Sequence, residues 1–293
     1  MTELRIGISG WNYNFWRGEF YPKGLLQRRE LEYASSQMNS IEINGTFYSL
    51  QRPASYMKWR DATPDDFIFA VKGGMYLTHR RRLRDIRQPL ANFFASGVLQ
   101  LGKKLGPILW QLPPWLPFEP ERMSEFLKLL PRTSTAASKL AYEHDLKKKD
   151  WVAPEAIART PIRYAFEPRH ESFFSEDFVR LLRRYNAALV FADAAGKFPY
   201  FEDLTADFVY IRLHGSKELY ASGYDTEELD RWADRIGKWK RGVQPRDAKL
   251  IVADRFKPRV PRDVYVYFDN DIKVHAPFDA INLADRLRQK PDR

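Results

Sequence analysis

At 293 residues, with 44% hydrophobic and 15% aromatic content, the chain can bury a large core, and its length suits one α/β barrel domain over residues 1–293. It has no cysteine, which excludes disulfides, thiolate metal centres and cysteine nucleophiles. No apolar run approaches the roughly 20 residues of a membrane helix, and the opening Met1-Thr2-Glu3-Leu4-Arg5 is unlike a signal peptide. A cytoplasmic protein without a membrane partner is therefore expected. The net charge of +10 favours anionic partners, either small phosphorylated or carboxylated molecules or nucleic acid.

In chain order, residues 4–10 alternate apolar with small side chains and read as a first strand, which opens into an aromatic loop from Trp11 to Trp16. Leu31, Ala34 and Met38 recur at helical spacing. Residues 40–48 return to a period of two, so that Glu42, Asn44, Thr46 and Tyr48 share one face of a second strand. Residues 53–60 suit a short helix and residues 67–73 a third strand with Lys72 at its end. The loop after it holds His79 and the arginines Arg80, Arg81, Arg82, Arg84 and Arg87. A helix stripe from Leu90 to Leu101 precedes a fourth strand, residues 107–112, closed by Pro113-Pro114.

Residues 131–161 form an insertion, expected to be partly helical around residues 136–147. Residues 162–167 are a fifth strand, Ser175 caps the next helix, and residues 188–193 are a sixth strand. Residues 194–206 are too few for a full crossover helix. The seventh strand ends in Arg212-Leu213-His214-Gly215, with Arg212 and His214 on one face; Asp225 with Glu228 then makes a capping box. Residues 263–270 are an eighth strand, and Pro277 begins the last helix. The expected fold is a TIM-type (β/α)8 barrel with a weak or missing helix after strand six and an insertion between strands four and five. An open doubly wound sheet is the alternative.

In such a barrel the residues at the C-terminal ends of the strands form the site. They are Glu42 and Asn44, Lys72 with His79, Gln111, then Glu167, Arg169 and His170, then Asp193, Arg212 and His214, and finally Asp269, Asn270 and Asp271. Glu167, His214 and Asp193 are candidate acid/base groups, Glu167 first, because a half-buried carboxylate beside others is pushed toward neutrality. Arg169, Arg212 and Lys72 form a candidate anion clamp, arginine offering a bidentate fork to phosphate or carboxylate. Asp269, Asn270, Glu42, Asn44, His79, Gln111, His170 and Trp11 complete the substrate-binding set, and the aromatic loop offers a stacking wall for a sugar or base. Two alternatives stand beside this reading. Glu42, Glu167, Arg169 and Arg212 could form a closed structural network. His214 and His79 with Glu167, Asp193 and Asp269 could hold a divalent metal, although Arg169 and Arg212 compete for the same carboxylates.

Gly7-Ile8-Ser9-Gly10-Trp11, Phe20-Tyr21-Pro22, the run from Glu42 to Tyr48, Phe69-Ala70-Val71-Lys72, Thr78-His79, Gln111-Leu112-Pro113-Pro114, Glu167-Pro168-Arg169-His170, Arg212-Leu213-His214-Gly215 and Tyr267-Phe268-Asp269-Asn270-Asp271 occur in this order. In these blocks the chain resembles the YecE-like family, domain-of-unknown-function family 72. The resemblance runs nearly from end to end and implies a TIM-type barrel; it assigns no activity. Gly45 stands where the family more often has serine, and Phe173 where tryptophan is common. The blocks coincide with the strand ends, which favours a functional site over a purely structural network. The expected function is acid/base chemistry on a small anionic substrate, such as a phosphorylated sugar or nucleotide-like compound, and both hydrolase and isomerase chemistry fit. A nucleic-acid-binding module using Arg80 to Arg87, or a noncatalytic scaffold, are the alternatives.

Overall fold

The computed structural model describes residues 2–253 and 260–289. Eight strands close a barrel in sequence order: β1 (Leu4–Ser9), β2 (Ser40–Ile43), β3 (Ile68–Lys72), β4 (Leu105–Gln111), β5 (Tyr164–Glu167), β6 (Ala188–Asp193), β7 (Phe208–Leu213) and β8 (Asp263–Phe268). The helices are α1 (Glu30–Gln37), α2 (Gly45–Tyr48), α3 (Pro53–Asp61), α4 (Arg87–Ala95), α5 (Pro120–Leu129), α6 (Ser134–Ala141), α7 (Glu176–Arg184), α8 (Thr226–Lys240) and α9 (His275–Gln289). No helix among the described residues is long and apolar enough to cross a membrane. By packing, the chain divides into two compact units, one from the chain up to Ile41 and from Phe174 onward, the other Glu42–Phe173.

In the first unit β7 lies between β6 and β8 in parallel register, Asp193 opposite Leu213 and Leu213 opposite Phe268. Alternation then sorts the side chains. Phe191 of β6 packs on Trp239 of α8, with ring centroids 5.0 Å apart, so Phe191 and Asp193 belong to the helix-facing side. Tyr210 and Tyr267 pack together on the barrel-facing side at 5.2 Å, and Arg212 and Asp269 continue that side toward the strand ends. Local chemistry fixes the helices as expected. Ser175 caps α7 by accepting from the Phe178 amide, and Asp225 and Glu228 close a reciprocal capping box on α8. Leu229, Trp232, Ile236 and Trp239 of α8 are buried at helical spacing.

In the second unit Trp110 of β4 packs on Phe93 of α4 and Phe126 of α5, at 5.7 and 5.1 Å. Trp110 therefore faces the helices. Gln111, beside it in the strand, faces the barrel, as does its register partner Glu167.

Three expectations about elements are corrected. The stripe from Leu90 to Leu101 is not one helix: α4 ends at Ala95, and Gly97, at φ 109, turns the chain into a separate 3-10 segment, Val98–Lys104. Residues 40–48 do not form one strand: β2 stops at Ile43, Asn44 takes helical angles (φ −86, ψ −28), and α2 follows. The cause is a tertiary hydrogen bond, because the Thr46 hydroxyl reaches the carbonyls of Ile43 (2.9 Å) and of Lys72 in β3 (2.6 Å), and only a turn brings it there. Thr46 is buried and Tyr48 is 75% exposed, so the supposed common face does not exist. The helix of the insertion is also shorter than expected, ending at Ala141, ahead of the like charges Lys147-Lys148-Lys149. After β6 the chain reaches β7 without a helix, as expected.

Candidate functional site

In the first unit a charged group sits on the barrel-facing side of β7 and β8. Arg212 is fully buried; its Nη2 donates to Asp269 Oδ2 at 2.9 Å and to the Ser9 hydroxyl of β1 at 3.1 Å. Its Nη1 lies 3.4 Å from His214 Nε2. A guanidinium can only donate, so Nε2 faces it with a lone pair; Nδ1 lies 3.0 Å from Asp269 Oδ2, within ion-pair distance but without hydrogen-bond geometry. Asp269 is thus bonded by Arg212, with the His214 ring beside it.

Beyond Asp269, Asp271 is partly exposed, and its carboxyl is pushed up from an ordinary 3.8 to about 6. Burial is the main cause and the Asp269 carboxylate the second; a hydrogen bond with Tyr13 and the charge of Arg212 oppose them. Its backbone carbonyl accepts from Trp16 Nε1 at 3.2 Å. Tyr220 covers His214 edge-on, ring centroids 5.4 Å apart, at φ 64, a left-handed conformation that an aromatic residue adopts only under tertiary constraint. The amide of Tyr220 is held by the His214 carbonyl, and its own carbonyl accepts from Ile272 N at 3.2 Å.

In the second unit Arg169 binds Glu167 Oε1 through Nε (2.8 Å) and Nη2 (2.7 Å), and Nη2 also reaches Gln111 Oε1 at 3.1 Å. Lys72 is buried with its ammonium 4.4 Å from the centre of the Phe47 ring. His79 bonds Thr78 through Nδ1 and stands edge-on to Phe47 and Trp115. Burial first, then the charges of Arg169 and Lys72, push its pKa from 6.5 down to about 4. Its imidazole is therefore neutral near pH 7, within a cationic neighbourhood. Glu42 is fully buried at the end of β2, and Asn44 begins α2.

Several expected site residues are engaged elsewhere. Asp193 points to the helix-facing side of β6, where Tyr224 donates to it at 3.2 Å and burial raises its pKa; it is not on the face of Arg212 and His214. Asn270 is buried and braces the chain, its Nδ2 donating to the Ser222 carbonyl and to Asp279. His170 closes a local turn with Ser172. Trp11 is held by its carbonyl, which accepts from Tyr21. Of the loop arginines, Arg81 pairs with Asp85, Arg84 with Glu119 and Arg87 with Glu143, while Arg82 stands over Trp115. Three of the five thus face a carboxylate, each in a pair at the surface. Among the described residues no group of three or more His, Asp or Glu is arranged to hold a metal ion.

Ser9, Tyr13 and Tyr220 went unrecognised in the sequence, and Asp271 stood only as one strand-end residue among many. Ser9 was recoverable as the last residue of the first strand. Nothing in the local sequence marks Tyr220, whose position depends on His214 and Ile272.

The sequence profile of the family described as "Protein of unknown function DUF72" matches residues 5–293. UPF0759 protein YecE of Escherichia coli K12 is 30% identical over 245 residues, 83% of this chain and 84% of that protein. UPF0759 protein YunF of Bacillus subtilis is 27% identical over 126 residues, a match that spans 44% of its length. Among solved structures, a DUF72 family protein of Thermotoga maritima aligns with a TM-score of 0.73 at 23% identity, covering 98% of this chain and 100% of that one. A DUF72 family protein of Enterococcus faecalis aligns with a TM-score of 0.67 at 15% identity, over 98% and 96%. These two share the barrel architecture. With a family match over nearly its whole length and a relative at 30% identity across most of both chains, this protein belongs to the DUF72 family.

Proposed function

We propose that this protein is an enzyme that works by acid/base chemistry on a small anionic substrate, with Asp271 as the group that takes the proton. The observation that carries the reading is the contrast between two carboxylates two residues apart. Asp269 is held by Arg212, with His214 Nδ1 3.0 Å away, while Asp271 is partly exposed and its carboxyl is pushed up to about 6. A carboxylate bonded to a buried guanidinium and a neighbour raised toward neutrality suit separate roles, one a fixed charge and the other a proton carrier poised near the working pH. Phe15, 47% exposed, and Tyr220 offer flat faces to a sugar-like ring. The anionic character of the substrate rests on the net charge of +10. Glu167, expected to lead the chemistry, fits better as the residue that orients Arg169, since both of its contacts with that guanidinium hold it in place.

The test is a screen of phosphorylated and carboxylated sugars with the wild type and Asp271→Asn. The expected result is a loss of turnover of about 10²–10⁴-fold with ligand binding retained, and a wild-type kcat that rises as pH passes through about 6. Undiminished turnover in Asp271→Asn removes the assignment.

A further inference from the structure

We propose that the gap left by the missing helix after β6 is a second ligand site, built for a flat ring that carries an anionic group, as in a nucleoside monophosphate. Between β6 and β7 the chain runs as coil, and against α8 it leaves a cavity of about 280 Å³, near the lower end of small-molecule sites. Phe198, Tyr200 and Trp232 line it with rings, and Tyr200 and Trp232 meet edge to face at 6.3 Å. Arg231 and Lys249 line it with positive charge, and Asp193 contributes a carboxyl.

The charges of this cavity divide into a closed set and an open one. Arg235 is consumed by the buried carboxylate of Glu202, to which its Nε donates at 2.9 Å, and by Asp247 at 2.8 Å. The coil wall is strapped down as well. The Glu202 amide donates to the Lys249 carbonyl at 2.8 Å, and the Asp203 carboxylate accepts from the amides of Ile251 and Val252 at 2.8 and 3.0 Å. By contrast, among the described residues neither Arg231 nor Lys249 has a carboxylate within ion-pair distance; Lys249 stands 5.9 Å from the centre of the Tyr200 ring. A preformed cavity thus combines aromatic walls with two cations that, among the described residues, no carboxylate ion-pairs, although the charge of Arg231 is felt by Asp193 and that of Lys249 by the Tyr200 ring.

These groups define the ligand. The rings accept a planar aromatic system. Arg231 and Lys249 meet a phosphate or carboxylate attached to it. Asp193 can hydrogen-bond the polar edge of the ring, and burial keeps its carboxyl closer to neutral than an exposed aspartate. The site is distinct from the Arg212 group, because Asp193 stands on the helix-facing side of β6 and Arg212 on the barrel-facing side of β7.

Calorimetric titration of the full chain with AMP, GMP, CMP and UMP, against adenosine and inorganic phosphate alone, tests this. The expected result is saturable one-to-one binding of at least one nucleotide, about tenfold or more tighter than adenosine or phosphate. Arg231→Ala and Lys249→Ala, at exposed positions, and Phe198→Ala, at a half-buried one, should each weaken it about tenfold. No saturable nucleotide binding overturns the proposal. So does affinity that survives the double substitution Arg231→Ala with Lys249→Ala, or phosphate alone binding as tightly as the nucleotides.

Discussion

Arg212 donates to Asp269 across adjacent strands at 2.9 Å, with Arg212 fully buried and Asp269 9% exposed. Removing the guanidinium leaves a carboxylate stranded in the barrel interior. Arg212→Met should therefore cost about 3–5 kcal/mol, measured by urea unfolding. Adding Asp269→Asn should recover part of that loss, since the uncompensated charge disappears. Fully additive losses would contradict the pairing.

Asp271 makes stability depend on pH. Its folded pKa, about 6, exceeds its ordinary value of 3.8, so the native state binds this proton more tightly than the unfolded chain. The favourable contribution is complete below about 3.8 and is lost as pH rises through about 6. Asp271→Asn removes that loss. Its melting temperature should exceed that of the wild type at pH 8, by the equivalent of about 1 kcal/mol once solvent screening is allowed for, and the gain should vanish near pH 4.

His79 runs the other way. Its folded pKa of about 4 lies below 6.5, so it favours the native state above 6.5 and loses that contribution as pH falls toward 4. NMR titration should place its midpoint near 4. Lys72→Met should move the midpoint upward, though by less than full exposure would, because burial is the larger cause. An unmoved midpoint would show that Lys72 does not act on His79.

Gly7 tests the packing of β1. A Cβ there would lie 1.7 Å from the Ser40 carbonyl oxygen, a backbone atom that cannot turn aside. Gly7→Ala should destabilise the fold by about 3 kcal/mol or more and depress soluble expression. Gly24→Ala is the contrasting case for space, since nothing lies within 4 Å of its Cβ position; its φ of 81 still carries a backbone strain of about 1–2 kcal/mol. Equal losses in the two variants would mean that the close approach at Gly7 is not what forbids a side chain.

By itself the sequence determined the barrel, because the signals are local. Runs of period two made the strands, Ser175 and the Asp225–Glu228 box started helices where expected, and too few residues separated β6 from β7 for a crossover helix. The pairing of Arg212 with His214 on one face was likewise legible, since alternation along a strand needs no partner. Tertiary structure decided what depends on partners distant in the chain. Thr46 ended β2 through the carbonyl of Lys72, which no local pattern announces. β6 is apolar on both faces, so only its packing on Trp239 showed that Asp193 turns toward the helices. Asp269 and Asp271 are separated by one residue, yet their different surroundings come from Arg212, Tyr13 and the depth of burial. Charge states in a protein interior are set by what the fold brings near, and that is long-range by nature.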